Sequence, residues 1–296
     1  MPRPMSESAS DGVTVTAPAK VNLYLHVTGR RDDGYHLLDS LISFAGVGDT
    51  LRVRPADALR LSVSGPFAAA VPTGPDNLVL RAARMLADIA GIEARADIQL
   101  TKRLPVAAGI GGGSADAAAA LKALMALWSV SPAAADVRRE ALSLGADVPV
   151  CLAGHPACVA GIGEDIADAP RLPPCWMVLV NPGVALSTPA VFKYRDGPFS
   201  VAAPLDTPPA DADELAQALA QRSNDLTVSA LSLAPEVGTV LAELDLLPGA
   251  LLSRMSGSGA TCFALFATHE EAEQGAQRLR QEYPDWWIEP APLAQG

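Results

Sequence analysis

The stretch from Leu104 to Leu121, LPVAAGIGGGSADAAAAL, constrains this chain more than any other. An alternating run, Ala96 to Lys102, reads as a strand before it, and an alanine-rich run reads as a helix after it. Gly109, Gly111, Gly112 and Gly113 stand between them, followed by Ser114. Glycines lack a Cβ, so they reach positive φ and let backbone N–H groups converge on a ligand. Ser114 is placed to cap the helix, whose N-terminus carries partial positive charge. Strand, glycine turn and helix start in that order make an anion site, most naturally for phosphate. The blander reading is a glycine turn that only joins strand to helix. Two familiar phosphate loops do not fit. No lysine follows the glycines as a Walker loop requires, and the last glycine of a dinucleotide fingerprint would fall on Ser114.

Charge and composition narrow the partners. The 296 residues carry a formal net charge of −11, which argues against nucleic acid and against an anionic membrane surface. A phosphate site on such a chain must supply its own local positive charge. With 49% hydrophobic residues, a sizeable core is within reach. No apolar run approaches transmembrane length. Residues 1–12 are polar, lack the apolar stretch of a signal peptide, and read as a disordered tail. Cys151, Cys158, Cys175 and Cys262 match no zinc or C-x-x-C spacing, so reduced thiols in a cytoplasmic protein are expected.

Several residues stand out from their surroundings. Val13–Thr16 and Val21–Val27 alternate as strands, with Lys20 the single charge in an apolar segment. Asn22 shares its strand face. The pair is either the wall of a site or a lysine whose head snorkels to water beside a polar neighbour. Asp-Asp-Gly at 32–34 is a turn, after which Tyr35 and His36 open the next strand. A tyrosine ring offers a base a flat face and an imidazole can bond a base edge, although strand packing explains both residues equally. Asp49–Val53 and Leu59–Val63 read as strands. Pro75–Leu78 reads as a helix start capped by Asp76 or Asn77, and Gly91 as its stop. Ser131-Pro132 reads as the start of another helix that ends near Gly145. Asp147 then follows, in a turn before an apolar run. Ser187-Thr188-Pro189 starts a short helix containing Phe192, which is a core residue or a second stacking face. Leu251–Phe266 contains a small-residue loop, Ser256-Gly257-Ser258-Gly259. Strands and helices in this order give an α+β protein.

Three stretches together resemble the GHMP kinases, the galactokinase, homoserine, mevalonate and phosphomevalonate kinase superfamily. Pro-Ala-Lys-Val-Asn at 18–22 is similar to the opening strand motif, Pro105–Ala115 to the glycine loop, and Ser256–Ala260 to the third motif. The Gly34-Tyr35-His36 element is similar to the branch that phosphorylates a cytidyl diphosphate polyol on the isoprenoid precursor pathway. The resemblance covers nearly the whole chain after the tail. It implies an N-terminal domain like that of ribosomal protein S5 over residues 13–158 and a ferredoxin-like C-terminal domain over 159–296.

It also implies roles. Lys20 and Asp147, the latter in Gly145-Ala146-Asp147-Val148-Pro149, would be catalytic. Pro105, Val106, Ala107, Ala108, Gly109, Ile110, Gly111, Gly112, Gly113, Ser114 and Ala115 would bind ATP, with Asn77 and Lys102 as further nucleotide contacts. Mg²⁺ would accompany the ATP, near Ser114. Asn22, Tyr35, His36, Thr188 and Phe192 would bind the acceptor, its cytosine lying between Tyr35 and Phe192.

Overall fold

The computed structural model describes residues 12–296. All but the last residue of the expected tail lies outside the described residues. The chain forms two compact units that interleave in sequence. The first takes residues up to Ala17, Gly48–Leu104 and Gly113–Leu152. The second takes Pro18–Val47, Pro105–Gly112 and Ala153–Gly296. Two long strands pass from one set of segments to the other, β1 (Val13–Arg30) and β2 (His36–Arg54). A single cut in the sequence therefore does not separate the units.

The separate strands read at 13–16 and 21–27 are one strand of 18 residues. From Ala19 to Val27 every residue is buried, so the alternation that marks a one-sided strand disappears. Likewise Asp49–Val53 is the end of the 19-residue β2.

In the first unit, β3 (Arg60–Ser64) runs parallel to β4 (Asp97–Thr101), which pairs antiparallel with Thr50–Arg54 of β2. Helix α1 (Leu78–Ala90) is capped by Asn77, whose Oδ1 accepts the Val79 N–H, and stops at Gly91 with φ 66°. It packs against α3 (Ala134–Leu144). Helix α3 starts two residues beyond Pro132, which lies outside it. Helix α2 (Gly112–Trp128) buries Ala115 to Leu121 without a break. Small alanines allow it to be enclosed on all sides. The apolar run after Asp147 is a helix, α4 (Val148–Ala153).

In the second unit, Leu38–Ile42 of β2 pairs with β5 (Ala157–Gly161), which pairs with β6 (Asp165–Asp168). A second, four-stranded antiparallel sheet follows. Its strands are β7 (Trp176–Asn181), β8 (Leu252–Met255), β9 (Cys262–Phe266) and β10 (Trp287–Pro292), in the order β10-β7-β9-β8. Helices α5 (Thr188–Tyr194), α6 (Ala212–Ala220), α7 (Thr227–Leu233) and α8 (Glu236–Asp245) lie between β7 and β8. Helix α9 (His269–Glu282) lies between β9 and β10 and carries a capping box of Thr268 and Glu271. The core joins Val178, Val180, Phe266, Val240, Leu244, Ala276 and Leu279. All four cysteines are thiols. Among the described residues, no helix is long and apolar enough to cross a membrane.

Candidate active site

Lys20 is buried on β1 with 4% of its surface exposed. An ammonium removed from water needs polar partners. Its Nζ donates to Asn22 Oδ1 at 2.8 Å. The Asn22 amide is fixed from its other side, since Nδ2 donates to Ser40 Oγ at 2.8 Å and that hydroxyl donates to the Tyr24 carbonyl at 2.6 Å. The snorkelling reading of Lys20 therefore fails. The lysine and asparagine form one braced polar pair in an apolar strand.

That pair is joined to the glycine loop. The Lys20 N–H donates to the Ile110 carbonyl at 3.0 Å. The Asn22 N–H donates to Ser256 Oγ at 3.1 Å, and Ser256 Oγ donates to the Gly109 carbonyl at 3.1 Å. The Thr261 N–H donates to the Ala108 carbonyl. The third motif thus backs the loop directly. Gly109 has φ 75°, and a Cβ on it would lie 2.5 Å from the Ser256 carbonyl oxygen. Gly111 has φ 60°, and a Cβ there would lie 3.0 Å from Lys20 Cε. At Gly109 only glycine lets the two backbones meet, while at Gly111 a Cβ would press on the Lys20 side chain.

Helix α2 begins at Gly112, immediately after this turn, so Ser114 is the third residue of the helix and not its cap. Gly111, held at positive φ, ends the loop and leaves Gly112 and Gly113 free to take up helical backbone. The N–H groups of a first helical turn have no intrahelical acceptor and attract anions. Ser114 Oγ lies 3.9 Å from where a Gly145 side chain would begin. The start of α2 and the Gly-Ala-Asp segment are thereby neighbours. The Cys151 N–H donates to the Asp147 carbonyl at 3.1 Å, which sets Asp147 at the start of α4.

Away from the loop, His36 stacks on Phe192, with ring centroids 5.1 Å apart and planes 25° from parallel. The imidazole is held below its usual pKa by partial burial and by Arg30 and Arg195. Thr188 Oγ1 and Ser258 Oγ are 2.7 Å apart, linking the first residue of α5 to the third motif. Tyr35 is 61% exposed, an open ring face at the turn before β2.

This geometry can be set beside known proteins. The family model described as GHMP kinases N terminal domain matches residues 77–155, and GHMP kinases C terminal matches 208–285. A 4-diphosphocytidyl-2-C-methyl-D-erythritol kinase of Paramagnetospirillum magneticum is 61% identical, over 95% of this chain and 98% of the relative. The chain belongs to the GHMP kinases.

This kinase is also 53% identical to the enzyme of the same name from Rhodospirillum rubrum, over 94% of this chain and 92% of the relative. The crystal structure of a 4-(cytidine 5'-diphospho)-2C-methyl-D-erythritol kinase matches with TM-score 0.80 and 35% identity, over 96% of this chain and all of that one. A homoserine kinase from Cytophaga hutchinsonii matches with TM-score 0.76 at 20% identity, covering 99% of this chain and 98% of that one, and so shares the fold. The expected α+β GHMP kinase architecture is the one observed.

Two expected contacts look different in the kinase's structure. Lys102 is not a solvated strand end. Its Nζ lies 2.6 Å from Asp49 Oδ2 and 2.6 Å from Asp116 Oδ2, with its side chain 3% exposed. Burial just after β4 obliges this ammonium to pair with carboxylates. Asn77 spends both polar side-chain atoms on the chain, Oδ1 on the Val79 N–H and Nδ2 on the Pro72 carbonyl.

Sequence reading passed over Ser40, Asp49, Asp116 and Arg254. Arg254 is buried, its pKa lowered to about 10 by that burial, and donates to the carbonyls of Leu23, Leu219 and Arg222. A lone arginine just ahead of a small-residue loop was the available signal.

Proposed function

We propose that the chain transfers the γ-phosphoryl group of ATP to the 2-hydroxyl of 4-diphosphocytidyl-2-C-methyl-D-erythritol, in non-mevalonate isoprenoid precursor biosynthesis. The observation that carries this reading is the near full-length likeness to kinases of that name, 61% identical in one case. The His36–Phe192 stack supports the acceptor, because it is an aromatic surface fit for a nucleobase in the unit that holds Lys20.

Phosphoryl transfer asks the protein for positioning, charge stabilisation and a base. Residues Pro105–Ala115 receive the ATP phosphates on loop and helix N–H groups. Asp147 accepts the proton of the acceptor hydroxyl as its oxygen bonds to the γ-phosphorus. The bond to the bridging oxygen of ADP breaks, and ADP leaves. Lys20 stabilises the charge on the transferring group, and Asn22 holds the hydroxyl while fixing Lys20. Tyr35, His36 and Phe192 take the cytosine, and Thr188 lines the acceptor end. Asn77 serves the nucleotide indirectly, by fixing the start of α1.

Among the described residues, no group of three or more His, Cys, Asp and Glu could hold a metal ion. A Mg²⁺ entering with ATP would be held mainly by phosphate oxygens, with the Ser114 hydroxyl as the protein group beside it. When bound, Mg²⁺ supplies neutralisation of the phosphate charge. The four thiols accord with a cytoplasmic enzyme.

Mass analysis of the product with phosphorus NMR tests the reaction directly. One phosphate monoester on the methylerythritol carbon, with the cytidyl diphosphate intact, is expected. A product phosphorylated elsewhere would refute the assigned regiochemistry.

A further inference from the structure

Both limbs of the glycine run are tied to one buried carboxylate pair. Lys102 follows β4 and precedes the loop, while Asp116 lies on the second turn of α2, beyond it. The Lys102 ammonium donates to Asp49 and Asp116 at 2.6 Å each, and the three side chains are at most 5% exposed. Asp49 Oδ1 also accepts the N–H groups of Arg103 at 2.5 Å and Leu104 at 2.9 Å. Residues 102–104 on one limb and Asp116 on the other are thus tied to each other through Asp49 and Lys102.

The charges in this cluster do not balance. Asp116 faces Lys102 from the end of β4 and Asp49 from β2. Helix α2 carries one other charged residue, Lys122, whose ammonium reaches the Cys151 carbonyl instead. One cation therefore meets two carboxylates. Asp116 Oδ1 is buried without a hydrogen-bond partner, a costly state for an ionised oxygen. Burial raises the Asp116 carboxyl to about 7; Lys102 pulls it down and Asp49 pushes it up.

We propose that Asp49, Lys102 and Asp116 form a proton-dependent clamp that positions the phosphate loop. With one proton held by the carboxylate pair the clamp is neutral. Without it, a net negative charge sits one turn behind the helix N-terminus that receives phosphate. The inference rests on reading residues 105–115 as the ATP loop. Its consequence is linkage: ATP favours the protonated clamp, and the protonated clamp favours ATP.

Titration calorimetry of ATP into the full chain, in two buffers of different ionisation enthalpy at pH 7.5, reads the protons taken up. Wild type and Asp116→Asn are compared, so that the protonation of ATP itself cancels. Wild type should take up on the order of a few tenths of a proton more than the variant, and its ATP affinity should fall about three- to tenfold more between pH 6.5 and 8.5. Asp49→Asn, which also leaves the cluster neutral, should behave like Asp116→Asn. A purely structural clamp would weaken both variants without changing the pH profile. Equal proton uptake and parallel profiles would overturn the proposal. Carbon-13 NMR of the aspartate carboxyls in wild type needs no variant. One carboxyl with a midpoint near 7 is expected, and none above about 5 would overturn the proposal. Failure of wild type to bind ATP at all would instead overturn the loop reading.

Discussion

His36 lies against Phe192, so one face of each ring is already covered by the other. The two come from the first residue of β2 and the middle of α5, and no local pattern in the sequence joins them. Phe192 also packs against the apolar core, so a base that stacks on it must use the part of the ring that neither His36 nor the core covers. His36, kept below its usual pKa, is neutral near pH 7 and offers one donor and one acceptor nitrogen to a base edge.

Phe192→Ala should therefore raise KM for the cytidyl substrate about ten- to hundredfold, the effect of roughly one to three kcal/mol of lost stacking. KM for ATP should stay within about twofold, since adenine uses another pocket. His36→Ala should lower the ratio of kcat/KM for cytidyl over uridyl substrate, because stacking alone does not separate amino from oxo groups. An unchanged cytidyl KM in the first variant and an unchanged ratio in the second would place the base elsewhere.

Lys20→Met and Asp147→Asn should each cut kcat by on the order of a hundredfold or more, with ATP affinity nearly kept. Single-turnover kinetics at saturating substrate is the check. Lys20→Met carries a second, structural signature, since it removes the donor that orients the Asn22 amide. Asn22→Ala should then reproduce part of the Lys20 defect. Wild-type turnover in a folded Asp147→Asn protein would remove that carboxylate from the chemistry.

The two positive-φ loop glycines should separate stability from binding. An added Cβ at Gly109 meets backbone on the third motif at 2.5 to 2.7 Å, and backbone cannot move aside cheaply. Gly109→Ala should lose several degrees of Tm. At Gly111 the nearest atoms belong to the Lys20 side chain, which can shift. Gly111→Val should stay folded by circular dichroism yet bind ATP far more weakly by calorimetry. Intact ATP affinity in Gly111→Val would reduce the glycines to a plain turn.

The motifs themselves were legible because each is short and locally ordered. Lys20 with Asn22, the glycine run and the small-residue loop all stand out within a dozen residues. What closes them into a site was not legible. Ser256 bridging the Asn22 N–H and the Gly109 carbonyl is a contact between residues more than a hundred positions apart. Asp49 read only as the start of a strand, since nothing nearby announces that it accepts the N–H groups of Arg103 and Leu104. The ion pairs of Lys102 were hidden for the same reason, because its two carboxylates come from distant segments. The length of β1 was hidden by burial on both faces, which erases alternation.

Asp116 gives stability a definite pH dependence. Folding raises its carboxyl from 3.8 to about 7, so the folded state holds the proton more tightly. The stabilisation is complete below about pH 4 and is lost as pH climbs to about 7. Asp116→Asn has no proton to lose there. Its Tm, measured relative to wild type, should climb between pH 4.5 and 7.5 and then level off. A difference that does not vary with pH would mean Asp116 titrates normally.

Steady-state ADP release with ATP and one acceptor at a time tests the identity of the acceptor most directly. Saturating ADP release with 4-diphosphocytidyl-2-C-methyl-D-erythritol, and none above background with homoserine or mevalonate, is the expected result. Turnover of homoserine or mevalonate with no response to the cytidyl compound would contradict the account, leaving a GHMP kinase of different specificity.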